Sequence, residues 1–368
     1  MVNLSRHGRA TFWAIARSLV LAALPVALTA EEPDFVLPPS DGGSLRVLAL
    51  GGAFVGLADD AGTVAANPAG LVAVPRSFEV VAAPYGTGPS GRPRHAALAL
   101  HPSPWVAVGG GWQQNTPRFL LGTDGTSRLE GQDTMTFLGA GFSFPDRRFS
   151  GGVSGEWRRL SYGTGAERWR GEDFSWTAGV LFRPEQREVP RLGLRYVAQS
   201  EWALADGRLV RRPPVFSTGI SWHYRALHIS DILVSFQSDW VHYSALTKEA
   251  PEDRRARNDL DVRLGLELSF PFQCFTGCGS LIQVRAGIRN AAPHPFDLGS
   301  KPSPEAVGQG PARGNTWAMG AALALRSVMQ GRLKAEVSYE RSARALGFGL
   351  GWRFPEAYRA EIEDQTRR

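Results

Sequence analysis

Apolar and polar residues alternate along most of this chain, from about residue 76 to its end. In the segment LDVRLGLELSF, residues 260–270, every second residue is apolar, and Asp261, Arg263 and Glu267 lie between them. The segments LKAEVSYE and LGFGLGWRF repeat the alternation. Residues two apart share one face of a strand but point in different directions on a helix. The pattern therefore predicts β-strands with one apolar and one polar face.

The length and spacing of these segments predict a barrel. Each is about ten residues long, enough for a tilted strand to cross a bilayer, whereas strands of soluble proteins are typically about five or six residues long. We count about fourteen, beginning near residues 76, 94, 104, 134, 149, 173, 190, 214, 231, 259, 280, 314, 332 and 344. A soluble sandwich also alternates, but its strands need not have this length.

The links between the segments alternate in length as well. After odd-numbered segments they are mostly long: residues 113–133, 161–172, 201–213, 244–258 and 291–313. After even-numbered segments they are short: HPSP, PDRR, PEQREVP, RALHIS and SVMQG. Outer-membrane barrels have short periplasmic turns, longer outer loops and an even number of strands. The sequence therefore predicts an all-β fold, a transmembrane antiparallel β-barrel of about 14 strands over residues 76–354, followed by a polar tail at 355–368.

The N-terminus predicts export. Arg6 and Arg9 precede the apolar stretch TFWAIARSLVLAALPVALTA, so residues 1–30 read as a secretory signal peptide that is removed on the way to the bacterial outer membrane. A retained membrane anchor is the alternative, but the apolar run after Arg17 is about a dozen residues, too short to span comfortably. Elsewhere basic residues are interspersed with acids, so the formal charge of +6 does not indicate nucleic-acid binding.

The stretch LGGAFVGLADDAGTVAANPAGL, residues 50–71, is rich in small residues but has Asp59 and Asp60 in its middle. Wall side chains alone do not fill the lumen of a barrel of about fourteen strands. We therefore expect residues 31–75 to form a compact hatch inside the lumen. Asp59 or Asp60 would cap a short helix through AGTVAAN, and Asn67-Pro68 would end that helix.

This stretch resembles the N-terminal signature of the FadL-like outer-membrane transport protein family, which includes TodX and the related PorV and PorQ proteins. The matching residues are Gly51, Gly52, Ala53, Ala58, Asp59, Asp60, Asn67, Pro68, Ala69 and Gly70. The resemblance implies a hatch within a fourteen-stranded barrel and passive transport of hydrophobic small molecules, fatty-acid-like or aromatic. Its expected partners are that hydrophobic molecule, outer-membrane lipids and lipopolysaccharide. The PorV and PorQ members imply an alternative, a barrel that serves secretion-machinery proteins or surface attachment without transporting small molecules.

In transporting members, the resemblance also implies an opening in the wall near the third strand. Here that strand contains Gly109, Gly110 and Gly111, a candidate wall gap because glycine weakens a strand; the alternative is a glycine-rich strand packed on the hatch. Candidate outer-loop ligand contacts are Arg118, Phe119, Leu120, Leu121 and Trp202. Arg118, or Arg211 with Arg212, could pair with a carboxylate head group; the alternatives are solvated arginines or contacts to lipopolysaccharide phosphate.

Charged residues on the polar strand faces have mixed signs, which favours a paired network between wall and hatch over an ion filter. They are Arg191, Arg195, Asp261, Arg263, Glu267, Arg285, Arg289, Lys334, Glu336, Glu340 and Arg353. Cys274 and Cys278, in QCFTGCG, predict a small disulfide loop in an oxidising compartment. A metal site there would need further ligands, so we predict no metal. No hydrolase, zinc or nucleotide motif is present, so we expect neither enzyme activity nor a cofactor.

Overall fold

The computed structural model describes residues 35–36, 44–74, 77–86, 94–115, 118–121, 127–144, 146, 148–164, 167–186, 189–203, 209–226, 230–242, 245, 259–273, 279–291, 314–328, 331–340 and 345–353. The predicted signal peptide, the polar tail, Cys274 and Cys278 lie outside these ranges. No helix within them is long and apolar enough to cross a membrane.

Strands dominate the described chain. They are β1 (Phe35–Val36), β2 (Ser77–Gly86), β3 (Arg94–Ser103), β4 (Val106–Asn115), β5 (Arg118–Leu121), β6 (Ser127–Ser143), β7 (Phe149–Thr164), β8 (Glu167–Phe182), β9 (Arg191–Val197), β10 (Ser200–Ala203), β11 (Leu209–Arg212), β12 (Val215–Ala226), β13 (Ser230–Val241), β14 (Asp259–Gln273), β15 (Gly279–Ala291), β16 (Gly314–Val328), β17 (Gly331–Glu340) and β18 (Ala345–Arg353). Three short helices precede β2: α1 (Leu45–Ala49), α2 (Thr63–Ala66) and the 3₁₀-helix η1 (Pro68–Ala73).

The wall is a closed antiparallel barrel with 14 strand positions. The last wall strand, β18, pairs with the first, β2. On the far side of β3, β4 pairs with residues 133–142 of β6, and β5 pairs with residues 127–130 of the same strand. Because β4 and β5 lie end to end along β6, they occupy one position. The predicted fold class is confirmed.

Most wall strands begin within three residues of the predicted starts. Two do not: β6 begins at Ser127 and β8 at Glu167, where 134 and 173 were predicted. The cause is continued pairing, because β6, β7 and β8 form long hairpins that extend into segments predicted to be outer links. The stretch Arg118–Leu121, predicted to be in an outer loop, is likewise a strand on the edge of β6.

The two faces of the wall differ in polarity. On β14, Leu260 is 55% and Leu264 is 46% exposed, whereas Arg263 is 1% and Glu267 is 3% exposed. A soluble protein would expose the charges and bury the leucines. The apolar outer face and charged inner face are those of a barrel whose surroundings are lipid.

One part of the chain leaves the wall and forms a second, smaller sheet. After β9 ends at Val197, the backbone turns away, and the next strands, β10 and β11, pair with each other. β1 joins this hairpin by pairing parallel with β11, with Phe35 opposite Val210. The turn is tied to β8, because Ala198 N donates to Trp176 O at 2.9 Å and Ser175 Oγ donates to Ala198 O at 3.1 Å.

Candidate functional site

Residues 44–74, here called the inner segment, lie across the lumen. α1 packs against β15 to β18, and η1 packs against β4, β6, β7 and β8. These two groups of strands stand on opposite sides of the wall. Most apolar residues of the segment are almost fully buried, including Leu50, Phe54 and Leu57 at 0–1% exposure.

Local sequence explains how the segment folds. Ser44 caps α1, because its Oγ accepts from Val47 N at 3.1 Å. The same hydroxyl donates to Asp60 Oδ2 at 3.1 Å, and Asp60 Oδ1 accepts from Gly62 N at 2.9 Å. Gly51 and Gly52 turn the chain with φ of 64° and 84°, a backbone conformation that favours glycine.

The expected aspartate cap of the second helix is wrong. α2 begins after Gly62, and no side chain caps it. Asp60 accepts a hydrogen bond from Gly62 N, which precedes the helix, and not from an N–H within it. Asp59 pairs with Arg46. The predicted end of the helix is confirmed, because Asn67 takes an extended conformation at its C-terminus.

Asn67 connects three parts of the segment. Its Nδ2 donates to Val55 O at 2.9 Å, and its Oδ1 accepts from Ala69 N at 3.2 Å, which caps η1. Pro68 occupies the first position of η1, where a missing N–H costs nothing. The Asn-Pro-Ala part of the motif is therefore a buried structural joint.

Polar wall side chains hold the backbone of the segment. Gln237 Oε1 accepts from Phe54 N at 2.9 Å and from Val55 N at 2.8 Å. Ser221 Oγ donates to Gly56 O at 3.0 Å, and Arg195 Nη1 donates to Ala66 O at 3.2 Å. These bonds supply partners for buried backbone groups that the short helices leave unpaired.

A network of ion pairs links the segment to the wall. Arg46 bonds Glu267 at 2.8 Å and also pairs with Asp59. Glu267 accepts from Arg285 at 2.6 Å, and Arg285 reaches Glu336 at 2.9 Å. Further ion pairs in the lumen are Lys334–Glu336, Arg263–Asp239, Arg263–Asp261, Arg289–Asp261, Arg195–Asp239 and Arg191–Asp59. Opposite charges in the lumen therefore neutralise one another, as expected for the predicted paired network; the side chain of Glu340 lies outside the described residues.

Burial changes the acid–base behaviour of Asp60. Desolvation raises the pKa of its carboxyl, and the nearby Lys334 and Arg46 only partly oppose that shift.

Within the described ranges, no group of three or more His, Cys, Asp or Glu residues is arranged to hold a metal ion.

A row of wall glycines touches the inner segment. A Cβ on any of them would come within 1.9–3.2 Å of a segment atom: Gly109, Gly139, Gly141, Gly152, Gly179, Gly193, Gly219, Gly265, Gly287 and Gly320. We call them the glycine belt. Several are direct cross-strand partners, such as Gly141, Gly152 and Gly179. The backbones of wall and segment approach each other directly at six of them: Gly141, Gly152, Gly193, Gly219, Gly265 and Gly287. The sequence alone did not reveal the belt.

The belt changes the interpretation of the candidate wall gap. β4 pairs without interruption with both β3 and β6 through Gly109, Gly110 and Gly111, so the described ladder has no gap there. A Cβ on Gly109 would meet Leu71 at 2.5 Å, and one on Gly111 would meet Val64 at 3.4 Å. Close packing on the inner segment, the alternative to a gap, is the arrangement in this structure.

The candidate outer contacts are described only in part. Arg118, Phe119, Leu120 and Leu121 form β5, and Trp202 is in β10, but their side chains lie outside the described residues. Their role as ligand contacts stays a prediction.

The two neighbouring arginines are not solvated loop residues. Arg211 is 2% and Arg212 is 0% exposed, and they pair with Glu201 and Glu156. Their charges are thus engaged within the protein.

A small crevice opens between the inner segment and the wall strands β15 and β16. It is lined by Val47, Leu48, Gly51, Gly52, Arg289, Thr316, Trp317 and Ala318. Its volume of about 30 Å³ suits about one water molecule. A molecule with a benzene ring does not fit unless neighbouring groups move.

Comparison with solved structures identifies proteins of similar architecture. The Ralstonia pickettii toluene transporter TbuX superposes with a TM-score of 0.51 at 12% identity, over 85% of this chain and 97% of that one. The CymD monoaromatic hydrocarbon channel gives 0.50 at 10% identity, over 84% and 96%. A Pseudomonas aeruginosa FadL homologue gives 0.47 at 12% identity, over 87% and 98%. The chain has a FadL-like fold.

The FadL-like fold agrees with the resemblance of the motif at residues 51–70. No known protein family matches the sequence itself, and no curated protein matches it either. At 10–12% identity the similarity concerns the fold, so activity has to be argued from this chain's own residues.

Proposed function

We propose that this protein is an outer-membrane channel through which hydrophobic small molecules, fatty-acid-like or aromatic, cross passively. The observation that supports it best is a closed barrel of FadL-like fold whose lumen is crossed by a tightly fitted inner segment. TbuX and CymD, which have this fold over nearly their whole lengths, are by name a toluene transporter and a monoaromatic hydrocarbon channel.

The lumen argues against a general pore for water-soluble solutes. The glycine belt brings wall and inner segment into close contact on strands from β4 to β16, and lumenal charges are paired. A hydrated solute would have to displace these contacts. We propose that residues 31–75 act as a hatch and that apolar molecules pass it after a local rearrangement.

The apolar outer face fits an outer-membrane location and contact with lipids. Trp157, Phe174 and Trp240 are 51–52% exposed on this face. Trp240 lies one residue before the outer end of β13, where aromatic rings favour the membrane interface. The longer links lie at that end, so we expect lipopolysaccharide around them. No described feature favours the alternative role in protein secretion.

The test uses intact cells, because lipopolysaccharide is the barrier that such a channel overcomes. The gene is expressed in a Gram-negative host that lacks its own hydrocarbon channels, and the initial rate of radiolabelled toluene uptake is measured. Nitrocefin hydrolysis by a periplasmic β-lactamase reports leakage of water-soluble solutes. We expect faster toluene uptake with unchanged nitrocefin hydrolysis.

Toluene uptake equal to that of the empty-vector host would reject the channel, provided that a heat-modifiable band shows the folded barrel in the outer membrane. Unchanged uptake together with loss of a surface protein from a deletion strain would instead support the secretion role. Faster nitrocefin hydrolysis would indicate an open pore and contradict the proposed hatch.

A further inference from the structure

His95 is a buried histidine with no hydrogen-bonding partner among the described residues. It lies on the lumenal face of β3 with 1% exposure, and neither Nδ1 nor Nε2 has a partner among the residues of the structure. Leaving a buried polar group unsatisfied costs about 1–3 kcal/mol. The ion pairs of the lumen do not explain this residue, because none of those between described residues includes it.

The described surroundings of His95 are largely apolar. Its cross-strand partners are Val81 on β2 and Gln113 on β4, and Gln113 in turn pairs with Met135 on β6. Met135, Ala97 and Phe137 are 1–3% exposed on the same lumenal face. This sector of the wall thus combines apolar side chains with one imidazole and the buried amide of Gln113.

The wall next to this sector carries glycines on its lumenal face and is less tightly packed than the glycine belt. Gly347, Gly349 and Gly351 occupy the lumenal face of β18, and Val81 is opposite Gly349. A Cβ on Gly351 would find no atom nearer than 3.7 Å, whereas on the belt it would come within 3.2 Å. Neither β2 nor β3 is among the strands against which α1, α2 and η1 mainly pack.

We propose that His95 is the polar contact of a binding site for an apolar molecule that carries one hydroxyl group, of the phenol class. A neutral imidazole offers one N–H donor and one bare nitrogen acceptor, and a hydroxyl can both donate and accept. Because Ala97 and Met135 are 1–2% exposed, the ring of the ligand would lie against them only after the local rearrangement proposed above. A pure hydrocarbon would make the same apolar contacts but leave His95 unsatisfied. This inference rests on the proposed function and names a substrate class within it.

Binding is measured on the purified full-length barrel in detergent, with phenol and toluene as probes in isothermal titration calorimetry. In His95→Leu we expect phenol to bind roughly three- to tenfold more weakly, the loss of one neutral hydrogen bond, and toluene to bind within about twofold of the unchanged protein. His223→Leu is the matched control, since His223 is another lumenal histidine with an unpartnered nitrogen. We expect it to change neither affinity. Equal phenol affinity in the parent and in His95→Leu overturns the site.

A second measurement uses the parent protein and does not depend on any substituted protein. In the ¹⁵N-histidine-labelled parent protein, the imidazole nitrogen signals of His95 should shift when phenol is added but not when toluene is added. Shifts that are absent, or identical for both probes, reject the site even if His95→Leu fails to fold. Binding in detergent does not depend on transport: a phenol-specific shift in a protein without toluene uptake keeps the site and rejects the channel. Normal toluene uptake without that shift keeps the channel and rejects the site.

Discussion

Arg46 of the inner segment donates two hydrogen bonds to the carboxylate of Glu267 on β14, at 2.8 and 2.9 Å. Their side chains are 8% and 4% exposed. Glu267 also accepts from Arg285 of the neighbouring strand, so one wall carboxylate serves two guanidinium groups. The connection between wall and inner segment therefore depends more on Glu267 than on either arginine.

Replacing Glu267 with Gln should destabilise the barrel by about 3–5 kcal/mol, because it leaves two buried cations short of a partner. Arg46→Leu should cost less, since Glu267 keeps Arg285. The free energy of unfolding in urea, followed by tryptophan fluorescence in lipid vesicles, measures both.

The matched control for this pair is Glu172→Gln. Glu172 pairs with Arg159 at 2.7 Å, but the two side chains are 70% and 69% exposed. Exposed pairs contribute little, so we expect a change below about 1 kcal/mol. An equal or larger loss for Arg46→Leu than for Glu267→Gln would contradict the proposed hierarchy.

The glycine belt predicts a sharp difference between two Gly→Ala substitutions. In Gly152→Ala, the new methyl group would lie 2.4 Å from the backbone of Pro68, so the segment must shift, at a cost of roughly 1–3 kcal/mol for overpacking. Gly110→Ala is the control, because its nearest neighbour would be 3.5 Å away. Unfolding free energies measure both; similar values for the two variants would show that belt contact is unimportant.

Asn67→Ala should destabilise the inner segment by roughly 2–4 kcal/mol, because Val55 O and Ala69 N both lose a buried partner. Hydrogen exchange of residues 63–73, measured by mass spectrometry, should become faster while exchange in β14 stays unchanged. Uniformly faster exchange across the wall would mean that Asn67 supports the whole barrel.

Asp60 predicts how stability varies with pH. Burial raises the pKa of this carboxyl above its ordinary value of 3.8, so the folded protein binds the proton more tightly than the unfolded chain. The free energy of unfolding therefore increases as pH falls from the folded pKa of this carboxyl toward 3.8. It decreases again as pH rises through the folded pKa. Relative to Asp60→Asn, the parent protein should be less stable at pH 8, and the difference should shrink toward pH 4. A difference independent of pH would contradict this assignment.

The sequence predicted the wall well because strand alternation reports directly on which side chains meet lipid. Leu264 and Arg263 are assigned to the correct faces by parity alone. The first and last wall strands, at Ser77 and Arg353, lie beside the predicted limits of 76 and 354. The hydrophobic difference between lipid and lumen is large, so it leaves a strong pattern in the sequence.

The glycine belt could not be identified in this way. Glycines such as Gly152, Gly193 and Gly265 are far apart in the sequence, and only strand register brings them to the level of the inner segment. The three glycines of β4 attracted attention because they are consecutive, yet only Gly109 belongs to the belt. Register depends on the turns and on the shear of the barrel, which alternation alone does not determine.

The pairing of β2 with β18 has a consequence for biogenesis. This seam joins the earliest and the latest parts of the wall to be synthesised, so the cylinder can be completed only when the whole chain has been delivered. The inner segment immediately precedes β2, so we expect it to be in position when the seam forms. Assembly of this protein would then consist of wrapping a sheet around its own leading residues, and those residues would help to set the circumference at which it stops.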